Sequence, residues 1–124
     1  LNFRQSSPVP QFLTGTHDEE PLKDKEFSHR LITKNLHGSR MSFHITTYVP
    51  HFDTMVEGDG VTEVILYCLH GWSEQIVEDS GERRKFQQGD AMFLPKNYTY
   101  RHIVGEAGLV VAVCASPSKE AGDL

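Results

Sequence analysis

The sequence predicts an all-β fold, a small jelly-roll barrel in a single domain, and three observations carry that prediction. Apolar runs dense in β-branched and aromatic residues recur along the chain, as SFHITTYV at 42–49, VTEVILYCL at 61–69 and LVVAVCA at 109–115. Such residues favour the pleated strand. Turn chemistry separates the runs at regular spacing, at Gly38, Gly60, Gly71, Gly81, Gly89 and Asn97, where Gly and Asn tolerate backbone that other residues resist. No segment sustains a 3.6-residue period, so no helix is predicted. About eight to ten short strands punctuated in this way close into a sandwich or barrel.

Taken in order, residues 1–25 read as an extended arm rich in Ser, Pro, Thr and charge, with one short strand near Gln11–Leu13. The barrel is expected over 26–117. Its first strand is expected at Glu26–Asn35, followed by a glycine turn at 36–40. In the strand Ser42–Val49 side chains alternate, placing His44, Thr46 and Tyr48 on one face and Phe43, Ile45 and Thr47 on the other. Residues 50–60 hold Pro, two Asp and two Gly and read as a loop. Glu63–Leu69 is apolar on both faces, as a central strand is. Trp72–Val77, Arg83–Phe86, Ala91–Leu94, Tyr98–Val104 and Leu109–Ala115 follow, separated by turns that include one at Glu106–Gly108. Residues 118–124 form a polar tail, expected to be mobile.

Composition narrows the functional classes. A chain of 124 residues fits one domain, and its net charge of −5 comes without a stripe of Lys and Arg. No nucleic-acid partner is therefore expected, because binding phosphates takes clustered cations. The two cysteines, Cys68 and Cys114, both lie in apolar runs. They form no disulfide framework, so a reducing cytoplasm is expected. No apolar run approaches the roughly 18 residues of a membrane span, no signal-peptide pattern is visible, and no membrane partner is expected.

The paired units VTEVILYCLHG at 61–71 and FQQGDAMFLPKNYTYRH at 86–102 resemble the two halves of a cupin barrel. SFHITT at 42–47, Tyr67-Cys68, Gly71, Gly89 and the ending VAVCASP together resemble ectoine synthase, a cupin cyclase, over about 29–117. The resemblance implies an iron-dependent lyase of the cyclase or dehydratase type, which closes a ring by eliminating water from an acetylated diamino acid. It also implies that Arg30, His44, Thr46 and Cys114 stand at or beside substrate-pocket positions. A cupin metal site takes two His and a carboxylate from the first half and one His from the second. Counted back from Gly71, the carboxylate position falls on Val64, with Glu63 one residue away. Counted from Gly89 and Pro95, the second-half histidine position holds Tyr100, with His102 two residues on.

These departures leave two readings of the chemistry. A one-residue bulge at Glu63 would turn that carboxylate inward. Glu63, His102 and His51 would then form a set for one divalent transition metal, Fe(II) first, then Zn, Mn or Ni. Otherwise the barrel works without a metal. His44, Tyr100 and His102 are the candidate catalytic groups, since imidazole exchanges protons near neutral pH. Alternatively, His44 is a hydrogen-bonded core residue. Arg30, Thr46, Tyr67 and Cys114 are the candidate substrate contacts, Arg30 by a bidentate hold on a carboxylate. The competing functions are a non-catalytic small-molecule-binding barrel and an isomerase or epimerase. Exposed sheet edges favour pairing, so a homodimer is expected.

Overall fold

Two long strands carry the architecture. In the computed structural model, which describes residues 20–23, 26–77 and 79–120, β5 (Glu63–Val77) and β8 (Thr99–Ser116) run antiparallel. They pair from Glu63 opposite Ser116 to Val77 opposite Tyr100. The sequence predicts two strands in place of each. The glycines expected to end them bend them instead: the β5–β8 register shifts between Cys68 and His70 and again between Gly71 and Ser73. Gly71 has φ 79° and lies so close to the facing strand that a Cβ there would fall 1.9 Å from the Gly108 carbonyl oxygen. Only glycine permits both that approach and that backbone.

The bend sends each long strand through two layers. The second half of β8 and the first half of β5 join β1 (Glu20–Lys23), β2 (Glu26–Ile32), β3 (Ser42–Tyr48) and β7 (Ala91–Leu94). The first half of β8 and the second half of β5 join β4 (Asp53–Glu57) and β6 (Arg83–Gln87). Inward side chains of both layers form one core, including Val64, Leu66, Leu94 and Val111 from one and Phe86, Tyr100 and Val104 from the other. Val104, Leu109 and Val111 are each 1% exposed. Burial of such a side chain contributes about 1.5–3 kcal/mol.

Three local expectations are corrected. Residues 53–57 form β4 rather than loop, because DTMVE alternates and pairs with β8; the flanking Pro and Gly masked that period. A four-residue helix, α1 (Lys34–His37), replaces the end of the strand predicted at 26–35 and part of the turn predicted at 36–40. Its first turn is capped by the Thr33 hydroxyl, which accepts from Leu36 N–H, and it ends on left-handed Gly38. The start of the polar tail is tied down: Glu120 accepts from the Lys34 and Asn35 N–H groups, and Lys119 N–H donates to Ser42 Oγ at 2.8 Å. The strand expected near Gln11–Leu13 lies outside the described residues. Among those described, no helix is long and apolar enough to cross a membrane.

Candidate functional site in the barrel interior

Polar side chains reach the interior from both layers. On the first, β2 and β3 place Arg30 opposite His44 and Ser28 opposite Thr46, and all four are buried. Thr46 Oγ1 lies 3.5 Å from Ser28 Oγ, and Arg30 Nη1 lies 3.5 Å from the Lys119 carbonyl oxygen. His44 Nδ1 is buried with no hydrogen-bond partner. Burial, then the Arg30 charge, then that of Lys119, drive the His44 pKa from 6.5 down to about 3. His44 is thus a neutral imidazole with a free ring nitrogen, held beside two cations.

On the second layer, β4, β8 and β5 set Thr54, His102 and Gln75 in one row across the sheet. The Gln75 amide Nε2 lies 2.6 Å from Ser73 Oγ and 3.0 Å from His102 Nδ1. An amide N–H donating to Nδ1 keeps the imidazole proton on Nε2. The Tyr48 and Tyr100 rings meet His102 edge-on, with centroids 4.8 and 6.2 Å away. A cleft of about 380 Å³ opens onto Gln75, with Phe86 and Met92 as walls and Arg84, Lys85 and Asp90 at its rim. The Gln75 carbonyl oxygen, Oε1, is buried without a partner.

The structure brings five of the sequence-predicted residues into the interior: Arg30, His44, Thr46, Tyr100 and His102. It sends the others elsewhere. Tyr67 lies on the outer face of β5, 46% exposed, because inward positions there belong to Val64, Leu66 and Cys68. Cys114 also faces outward, against Met41 Sδ at 3.8 Å, since Val113 and Ala115 take the inward positions of β8. No bulge precedes Val64, so Glu63 stays on the outer face. His51 is exposed in a turn at φ 66°. Glu63, His51 and His102 therefore cannot share a metal ion. The inward position at which the cupin carboxylate would stand holds Val64, which has no donor atom. Among the described residues, no group of three His, Cys, Asp or Glu is placed to hold a metal, so the donor set does not fit the metal centre that the resemblance implies.

Sequence reasoning missed Gln75, Ser73 and Ser28. Gln75 and Ser73 follow the bulges around Gly71, which reset the alternation and hide their direction from a period-2 reading. Ser28 shares its face with Arg30 and was legible once β2 was placed.

An antiparallel strand set of this order, closed around a partly polar interior, is a small jelly-roll barrel. Solved structures share it. KdgF from Halomonas sp. matches with a TM-score of 0.75 at 17% identity, over 90% of this chain and 97% of that one. Ectoine synthase from P. lautus matches at 0.72 and 17% identity, over 82% of this chain and 71% of that one. An RmlC-like cupin from Shewanella frigidimarina NCIMB 400 matches at 0.71 and 14% identity, over 90% and 95%. No family model and no curated protein matches the chain. The chain has the cupin fold.

Proposed function

We propose that this cupin binds a small carboxylate inside its barrel and acts on it as a lyase of the cyclase or dehydratase type, without the family's metal centre. The observation that carries the reading is the neutral His44 with an unpartnered buried nitrogen next to the Arg30 and Lys119 charges. Arg30 suits a carboxylate, which its planar guanidinium can grip through two parallel hydrogen bonds. Burial is the largest cause of the low His44 pKa, and a bound anion offsets the smaller part that Arg30 and Lys119 add, so the imidazole becomes a better base when substrate arrives. His102, with its proton on Nε2, suits a hydrogen bond to the departing oxygen. In an elimination, His44 takes a C–H proton, a carbon–carbon double bond forms as the carbon–oxygen bond breaks, and the His44 imidazolium returns the proton to the departing hydroxyl, which leaves as water. The likeness to ectoine synthase supports this reaction class. If the base removes a proton and the same carbon regains it, the outcome is an isomerase; if neither occurs, the barrel is a binding module.

The test is proton NMR in deuterated buffer on a panel of small β-hydroxy and N-acetylated amino acids. Loss of water or wash-in of deuterium at a carbon acid, abolished in His44→Gln and His102→Gln variants that still fold, supports the lyase or isomerase chemistry. Binding without exchange for every compound refutes catalysis and leaves the ligand-binding barrel. Full activity in both variants refutes the site.

A further inference from the structure

The cleft of about 380 Å³ that opens onto Gln75 has a rim and a floor of different character. It lies between β6 and β7, over the second half of β5, on strands that carry neither Arg30 nor His44. The charges at its rim are engaged locally. Arg84 pairs with Glu82, Lys85 Nζ lies 4.7 Å from the centroid of the Trp72 ring, and Asp90 Oδ2 accepts from the Gln87 N–H at 3.1 Å. At the floor, Gln75 is 6% exposed, and its Oε1 has no hydrogen-bond partner among the described residues. The amide nitrogen of the same side chain is committed to Ser73 Oγ and His102 Nδ1, which leaves the carbonyl oxygen for the cleft. A buried acceptor without a donor is destabilising, so packing alone does not account for an amide here.

We infer that the cleft binds a small uncharged amide or alcohol, whose N–H or O–H donates to Gln75 Oε1 while its apolar part lies between Phe86 and Met92. The size suits such a ligand, since small-molecule pockets begin at about 300 Å³ and combine apolar walls with a few placed polar groups. Electrostatics selects the class. A carboxylate at the floor would set an acceptor against an acceptor. An ammonium group would leave water for neutral surroundings without a buried counter-charge, since Asp90 stands at the rim. A ketone or ester offers acceptors only and leaves Oε1 unpaired. The ligand is also wired to His102. A bond accepted by Oε1 polarises the Gln75 amide and strengthens its N–H donation to His102 Nδ1, so an occupied cleft holds the imidazole proton on Nε2 more firmly. The inference stands on the cleft and does not depend on the reaction proposed for the barrel.

The test is NMR titration of the full chain with butyramide, methyl propyl ketone and butyrate, which differ only in the group on the carbonyl carbon. Butyramide is expected to shift the Gln75 side-chain amide, the Met92 methyl and the His102 ring nitrogens. It is also expected to bind about fivefold more tightly than the ketone, as one neutral hydrogen bond allows. In Gln75→Met, close in shape and without an acceptor oxygen, that advantage is expected to vanish. Equal or weaker binding of butyramide than of the ketone by the wild type overturns the inference, and this comparison stands even if the variant fails to fold. So does an advantage that persists in Gln75→Met, or a set of shifts that falls outside the cleft. Butyrate separates this inference from the proposed carboxylate site. Movement of the Arg30 and His44 signals with butyrate, and no response to butyramide, refutes the cleft site and retains the other; the reverse pattern refutes the carboxylate site and retains the cleft.

Discussion

Replacing His44 with glutamine is expected to flatten the acid limb of the stability curve. The unfolded chain takes a proton at this imidazole near pH 6.5, whereas the folded chain resists it until about pH 3. Within that window the unfolded state binds more protons, so stability is complete above pH 6.5 and declines as pH falls. One unit of pKa difference corresponds to about 1.36 kcal/mol. Between pH 6.5 and pH 5 the loss is about 2 kcal/mol, and by pH 3 it approaches 5 kcal/mol. The lower figure is already a large share of the 5–15 kcal/mol that stabilises a typical domain. Glutamine is close in size, offers a donor and an acceptor, and does not titrate. Urea titrations of both proteins at pH 7 and pH 5 read the difference directly. His44→Gln is expected to lose about 2 kcal/mol less than the wild type over that interval. The carboxylates do not confound the comparison. Asp59 is held down at about 2 by hydrogen bonds from Thr62 and Val61, and Asp53 is lowered by its bond to Arg101. Both carboxylates are present and unchanged in the two proteins, so their contribution cancels in the comparison. Equal losses in the two proteins would show that His44 is not a buried neutral imidazole, and the base proposed for catalysis would fall with it.

The other predictions address separate parts of the argument. Arg30→Leu is expected to weaken carboxylate binding at least tenfold, since a charge-assisted hydrogen bond is worth about 1.5–3 kcal/mol; calorimetry with a compound identified by the NMR panel checks this, and unchanged affinity refutes the role. Nitrogen-15 NMR is expected to find His102 protonated on Nε2 and bare on Nδ1, while Gln75→Glu draws a proton to Nδ1 and raises the histidine pKa. The opposite tautomer in the wild type would show that the Gln75 carbonyl, not its amide nitrogen, faces the ring. Gly71→Ala is expected to cost about 3 kcal/mol or more, because it adds left-handed strain to a clash with the Gly108 carbonyl. A urea midpoint within a few tenths molar of the wild type would mean that the β5 bend lies elsewhere.

Local chemistry decided much of what could be read from the chain. Apolar runs alternating around β-branched residues at 42–49, 61–69 and 109–115 are enough to define strands. Alternation alone put His44 with Thr46, and Tyr100 with His102, on shared faces, because a strand has a fixed period of 2. Arg30 entered through its resemblance to a substrate-contacting position, and the β2–β3 register sets it opposite His44. The face a strand turns inward is another matter. Tyr67 and Val64 differ only in parity, and the sequence of β5 is apolar on both sides, so only packing against Leu94 and Ala115 assigns Val64 to the core and Tyr67 to the outside. The same parity sends Glu63 and Cys114 outward. Beyond Gly71 the bulges reset the count, and Gln75 comes to lie beside His102 through a pairing across 27 residues. Short-range sequence thus determined strands and relative faces, since those depend on neighbouring residues. Direction, register and the company each polar group keeps were decided by the closure of the barrel, since they depend on which distant strand supplies the other side.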